Sequence, residues 1–257
     1  MTPRLQPPQL RPAGLASARL IRTNQGKEYW VDLGWPGLDP AHPSVDIIDL
    51  DHSGSITSIG GTDPIGNRFR EAARAIDAVA TWSVAKRSKA AVIHFDQPST
   101  GNTPVLALND SGSVRRLKHA LRVPAGARGT SDLSPSLTKA EEIAAAHPGH
   151  DIRLTILSDF ELTDTDPSDV FARLAAFPGE VHAVILNTEP PADLRGENIT
   201  ITRLEYSDPP GALAAAIHRS LTATRRGRRL SPLHAGRTQS SIPPLSPDSA
   251  TAKAAAS

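Results

Sequence analysis

Three short segments of this 257-residue chain concentrate hard oxygen donors: Asp51-His52-Ser53-Gly54-Ser55, Gly129-Thr130-Ser131-Asp132 and Ser158-Asp159. Carboxylates and hydroxyls of this kind suit a small divalent cation. Mg²⁺ takes oxygen ligands in near-octahedral geometry and keeps several of its waters. Zinc favours thiolate and imidazole, and the chain has no cysteine and no paired-histidine spacing. The missing cysteines also exclude a disulfide framework and a cysteine nucleophile.

Donors so far apart in the chain can act together only if the fold gathers them. From Val45 onward, apolar strand-like runs alternate with helical patterns. VDIIDLD (45–51), AAVIHF (90–95), PVLAL (104–108), IRLTIL (152–157), VHAVIL (181–186) and ITITRLEY (199–206) read as strands. Helices are expected from Thr62/Asp63 with Pro64 to about Lys86, then at 113–122, 134–147, 166–177 and 211–226. In the first, Phe69, Ala73, Ile76 and Ala80 fall on one stripe, with Arg70, Glu71, Arg74 and Asp77 elsewhere. Ser134 is a candidate N-cap ahead of Pro135.

Such alternation predicts right-handed β-α-β units. The expected fold is α/β and doubly wound: a mainly parallel six-stranded sheet with helices on both faces. PVLAL follows its predecessor too closely for a parallel crossover and should be an antiparallel edge strand. Ligands of open α/β sheets bind at the carboxyl ends of the strands. The first and third donor segments end strands, and the second precedes a helix.

Outside this body, residues 1–16 are Pro-rich and read as disordered. ARLIR and KEYWVDL around TNQG suggest a short N-terminal β-hairpin, followed by a Pro-rich linker, within 17–44. The main domain should span 45–226, and 227–257 reads as a disordered basic tail rich in Pro, Ser and Ala. Residues 45–224 hold 17 basic and 23 acidic groups, a balance of −6, between segments of +2 (1–44) and +5 (225–257). An acidic body argues against nucleic-acid binding through the core domain. No apolar run reaches the ~18 residues of a spanning helix and no secretory pattern opens the chain, so a cytoplasmic location without a membrane partner is expected. The Ala-, Arg- and Pro-rich composition resembles that of a high-GC bacterium.

The ordered set DHSGSI, RGTSDLSPSL and TILSDFELTD, spaced by roughly 75 and 30 residues, resembles the von Willebrand factor A (vWA) domain with its metal-ion-dependent adhesion site. The likeness covers about residues 45–225. It implies a metal site of Asp51, Ser53, Ser55, Thr130 and Asp159, holding Mg²⁺ or in its stead Mn²⁺ or Ca²⁺. It further implies a protein-binding module, not an enzyme, whose metal captures an Asp or Glu of a partner protein. Cytosolic bacterial relatives often work beside AAA+ ATPases or in stress-response clusters, so such a partner is expected. The chain departs from the family pattern at three places. Arg128 and Ser131 alter the usual GGTDL, Phe160 stands where a Gly follows the third-motif Asp, and Asp49 lies on the first strand where an apolar residue is usual.

Two other readings compete. Asp49-Leu50-Asp51 with Asp159 and Asp164 resembles the haloacid-dehalogenase-type phosphatases, with Asp49 as nucleophile, Asp51 as general acid and Mg²⁺ as cofactor. Alternatively, the protein is a scaffold whose metal site is vestigial or purely structural. Among lesser features, Asp132 suits a helix cap as well as a metal-supporting group, and His52 suits a solvated loop as well as a ligand-facing position. His94 reads as an interior residue. The run Arg225, Arg226, Arg228, Arg229 reads as a helix-end complement to the macrodipole.

Overall fold

The computed structural model describes residues 19–22, 26–63, 67–95 and 97–231. The N-terminal segment 1–16, the turn residues at 23–25, Pro64 and the tail beyond 231 lie outside these.

The central sheet has the order β6-β5-β4-β7-β8-β9. Its strands are β4 (Ser44–Leu50), β5 (Ser88–His94), β6 (Leu106–Ala107), β7 (Asp151–Ser158), β8 (Glu180–Leu186) and β9 (Ile199–Leu204). β4 lies between β5 and β7, parallel to both, and β6 runs antiparallel along β5 as the short link demands. β4, β5, β7 and β8 are buried along nearly their whole length because both faces are covered. Val45 and Ile47 face the layer formed by α4 (Ser134–Ala145) and α5 (Pro167–Ala175). Ile48 and Leu50 face α2 (Asn67–Ala80), α3 (Ser111–Ala120) and α6 (Ala212–Leu221). A one-residue slip would exchange these two sets, so the register is fixed by the packing. Among the described residues, no helix is long and apolar enough to cross a membrane.

The first predicted helix corresponds to α2, which ends at Ala80 rather than near Lys86; ahead of it a single turn, α1 (Gly54–Thr57), includes the end of the first donor segment. The buried face of α2 also differs from the predicted stripe: it centres on Ala72, Ala75, Ile76 and Val79 and includes Arg68 and Arg74. Glu71, expected to face away from the core, accepts hydrogen bonds from Gly211 N and Ala214 N at 3.0 Å each. A carboxylate from one helix thus caps the next, where the macrodipole favours negative charge.

Of the expected hairpin, the strand pair is described: β1 (Arg19–Arg22) pairs antiparallel with β2 (Glu28–Val31). It is continuous with the main core, since Val31 and Leu33 are buried in the α2–α3–α6 layer. The segment read as linker and the start of the segment read as tail form a second small sheet. There β3 (Gly34–Trp35) pairs antiparallel with β10 (Arg229–Leu230). Arg225, placed by sequence in a solvated basic run, is only 4% exposed. It donates to Asp39 Oδ1 at 2.9 Å, to Ser83 Oγ at 3.0 Å and to the Leu38 carbonyl at 3.3 Å.

Candidate metal centre

Asp51 follows β4 directly and Ser158 ends β7, so parallel pairing brings the first and third donor segments side by side. Asp51 N donates to the Leu157 carbonyl at 3.1 Å. The Asp51 carboxylate is fully buried and held at both oxygens: Oδ1 accepts from Ser53 N at 2.7 Å and Oδ2 from Ser158 Oγ at 2.6 Å. Each oxygen keeps a second lone pair. The hydroxyls of Ser53 and Ser55 meet at 2.9 Å.

The second segment reaches the same rim through Gly129. A Cβ there would lie 3.4 Å from the His52 carbonyl and 3.9 Å from Gly54 N, and its φ is +74°. The left-handed backbone and the close approach together favour glycine. Thr130 follows it at once and is half-buried. The loop is pinned on its far side, where Thr163 Oγ1 donates to Asp132 Oδ1 at 2.6 Å and Thr163 N to the Ser131 carbonyl at 3.4 Å. Asp132 therefore does not cap α4. The cap of α4 comes from Asp164 rather than Ser134: its two oxygens accept from Leu133 N and Ser134 N, each at 2.8 Å.

Asp159 is 2% exposed. Its Oδ1 accepts from Glu161 N at 3.2 Å, while Oδ2 is buried with no hydrogen-bond partner. Burial pushes the Asp51 carboxyl up to about 6, and the neighbouring charge of Asp159 pushes in the same direction. Two buried carboxylates within electrostatic reach of each other, one with an orphaned oxygen, carry more negative charge than the nearby Arg68 guanidinium, itself bridged to Asp63, offsets. A divalent cation matches that need, and the hydroxyl donors fit Mg²⁺ better than a softer metal. Among the described residues, no group of three or more His, Cys, Asp or Glu is arranged for a metal. A site here draws on Ser and Thr oxygens.

The family departures acquire physical accounts. Phe160 has φ +57°, a left-handed conformation costly for a bulky residue. Its ring is buried in the α4–α5 layer, and its N–H donates to Ser158 Oγ at 2.8 Å. Packing thus supplies what a glycine would give by conformational freedom. Asp49 is fully buried, accepts a hydrogen bond from Ser136 Oγ and is pushed up to about 7 by burial, with Asp51 contributing.

Three residues near the rim were not singled out as its supports by the sequence. His52 is 3% exposed and neither solvated nor ligand-facing; its Nε2 lies 2.5 Å from Nδ1 of His94, the interior residue given no role. Arg68 is buried, bridges to Asp63 at 3.0 Å and donates to the Asp51 carbonyl at 3.3 Å. A basic residue in the first turn after a polar loop was the only available signal, and many surface arginines share it.

No family model matches the chain, and no curated protein matches it. Solved structures do share its fold. The pilus adhesin SpaC from Lactobacillus rhamnosus GG superposes with a TM-score of 0.54 at 11% identity, covering 73% of this chain and 31% of the adhesin. BatB from Bacteroides thetaiotaomicron gives 0.48 at 13% identity over 70% of this chain and 98% of its own. The vWA domain of SpRpn10 gives 0.46 at 10% identity over 76% and 98%. The chain thus spans about a third of the adhesin. At 11% identity the likeness to the adhesin speaks to fold alone, a mixed sheet with one antiparallel edge strand.

Proposed function

We propose that this protein is a vWA-type binding module that captures a partner protein through a divalent cation. The observation that carries the reading is the pair Asp51 and Asp159, both buried and electrostatically coupled, with one Asp159 oxygen unsatisfied, at the rim where Gly129 brings in the Thr130 loop. The proposed ligands are Asp51, Ser53, Ser55, Thr130 and Asp159, with Mg²⁺ as the ion and Mn²⁺ or Ca²⁺ as substitutes. With only two carboxylates in the set, the ion keeps positive charge and can accept an Asp or Glu side chain from the partner. The chain's own residues orient the donors: Ser158 and Ser53 N aim Asp51, and the Asp132–Thr163 contact steadies the Thr130 loop.

Ile59, fully exposed on the loop after α1, offers an apolar contact beside this rim. An acidic side chain flanked by apolar residues is therefore the partner chemistry proposed. A cytoplasmic AAA+ ATPase is a candidate partner on the strength of the sequence resemblance.

The phosphatase reading lacks its nucleophile. Asp49 is sealed beneath α4, and Asp164 spends both oxygens on the α4 N-terminus. Calorimetric titration with Mg²⁺ tests the binding reading, together with capture of lysate proteins in Mg²⁺ and in EDTA. Saturable Mg²⁺ binding lost in Asp51→Ala, with capture lost in EDTA, is expected. Capture that is unchanged by EDTA and by Asp51→Ala would overturn it.

A further inference from the structure

On the flank formed by α3 and the β5–β6 loop lies a cavity of about 520 Å³, distinct from the metal rim. That volume is within the ~300–1,000 Å³ typical of small-molecule sites. Its basic lining comprises Arg115, Arg116, His119 and Arg122, and no Asp or Glu lines it. Among the described residues, none of these arginines forms an ion pair, whereas Lys118 on the same helix is paired with Asp77 at 2.7 Å. Three guanidinium groups without an ion pair, one of them (Arg115) within electrostatic reach of Asp110, gather at one concavity on a body whose overall balance is −6 over residues 45–224, from 17 basic and 23 acidic groups.

The opposite wall is built and rigid. Thr100, Asn102 and Thr103 line it, in a loop braced across its base by paired Gln97–Asn102 hydrogen bonds at 3.0 and 3.3 Å. Thr103 Oγ1 accepts from Val92 N at 2.9 Å, which ties the loop to β5. At Gly101 a Cβ would stand 2.6 Å from His94 Nε2 and 2.7 Å from Pro124 Cγ, so the loop packs too tightly there for any side chain.

We infer that this cavity binds a small organic polyanion, a phosphorylated sugar or nucleotide carrying two or more negative charges. Planar guanidinium groups match phosphate oxygens bidentately, and the facing hydroxyl and amide groups can take sugar hydroxyls. A nucleic-acid strand requires basic groups along an extended track, and the net acidic balance of residues 45–224 opposes that.

The test is calorimetric titration of the full chain in EDTA, so that the metal site takes no part, with inorganic pyrophosphate and with ADP as probes. Saturable binding of at least one probe is expected. It should weaken at least about tenfold in Arg115→Gln/Arg122→Gln, with loss of two charge-assisted contacts. Arg195→Gln, an exposed arginine elsewhere, should bind as the parent does. The absence of saturable heat with both probes would overturn the inference. So would equal weakening in Arg195→Gln, or tighter binding of a mixed-sequence RNA oligomer through the same arginines.

Discussion

Ser136 Oγ, projecting from α4, donates a 2.6 Å hydrogen bond to Asp49 Oδ2 in the interior of β4. The other Asp49 oxygen is buried without a partner, so the sheet carries an acidic group satisfied on one side only. Ser136→Ala removes its one side-chain donor and is expected to cost about 1–3 kcal/mol in urea unfolding. Replacing both residues, as Asp49→Leu/Ser136→Ala, should return most of that loss, because removing both partners avoids an orphaned polar group. A double variant no more stable than Ser136→Ala would contradict the account.

Asp159→Asn separates charge relief from metal binding. Without metal, the substitution removes the negative charge that presses on Asp51, so the melting temperature should stay level or rise. Addition of Mg²⁺ should raise the parent's melting temperature and leave this variant where it was, since a ligand stabilises only the form it binds. A metal-free loss of several degrees would mean that Asp159 serves the fold instead.

Ile59→Asp tests the apolar contact at the rim. An exposed substitution of this kind typically changes stability by less than about 0.5 kcal/mol. Mg²⁺ affinity should be unchanged, while the amount of Mg²⁺-dependent partner captured should fall several-fold. Equal capture by parent and variant would remove Ile59 from the interface.

His218 sets one limb of the pH dependence. Burial holds its pKa down at about 4 against an ordinary 6.5, with Arg74, Arg225 and Arg228 adding to the effect. The unfolded chain therefore takes up a proton below pH 6.5 that the folded chain refuses. The stability concerned is fully present above 6.5 and is lost as pH falls toward 4. In His218→Leu, unfolding free energy should fall between pH 6.5 and 5.5 by about 1 kcal/mol less than in the parent. Parallel losses would exclude His218 as the source.

The sequence was informative wherever structure repeats locally. β4, β7 and β8 stand out through their Val, Ile and Leu residues, which doubly covered parallel strands favour on both faces, and the short link before Leu106–Ala107 left only an antiparallel edge. The donor segments were legible because residue type and order carry their chemistry. Contacts across the chain were not. His52 and His94 lie 42 residues apart, and Ser136 and Asp49 87 apart, so no periodicity reports them. The position of Asp164 over the α4 N-terminus is likewise a product of loop convergence, and it displaced the local expectation of a Ser134 cap. Arg225 misled for the opposite reason: it sits among exposed arginines, yet it alone meets Asp39 and Ser83 inside the fold.

That clasp, with the β3–β10 pairing beside it, joins the segment ahead of β4 to the segment behind α6. Ser44 begins β4 at the pole opposite Asp51, and the clasp sits against Ser83 and the Val84–Ala85 backbone just ahead of β5, at that same pole. The segment behind α6 therefore meets the body at the pole opposite the rim that holds Asp51. A cut after residue 226 would keep the Arg225 contacts but remove β10, so fragments meant to isolate the sheet should retain Ser231.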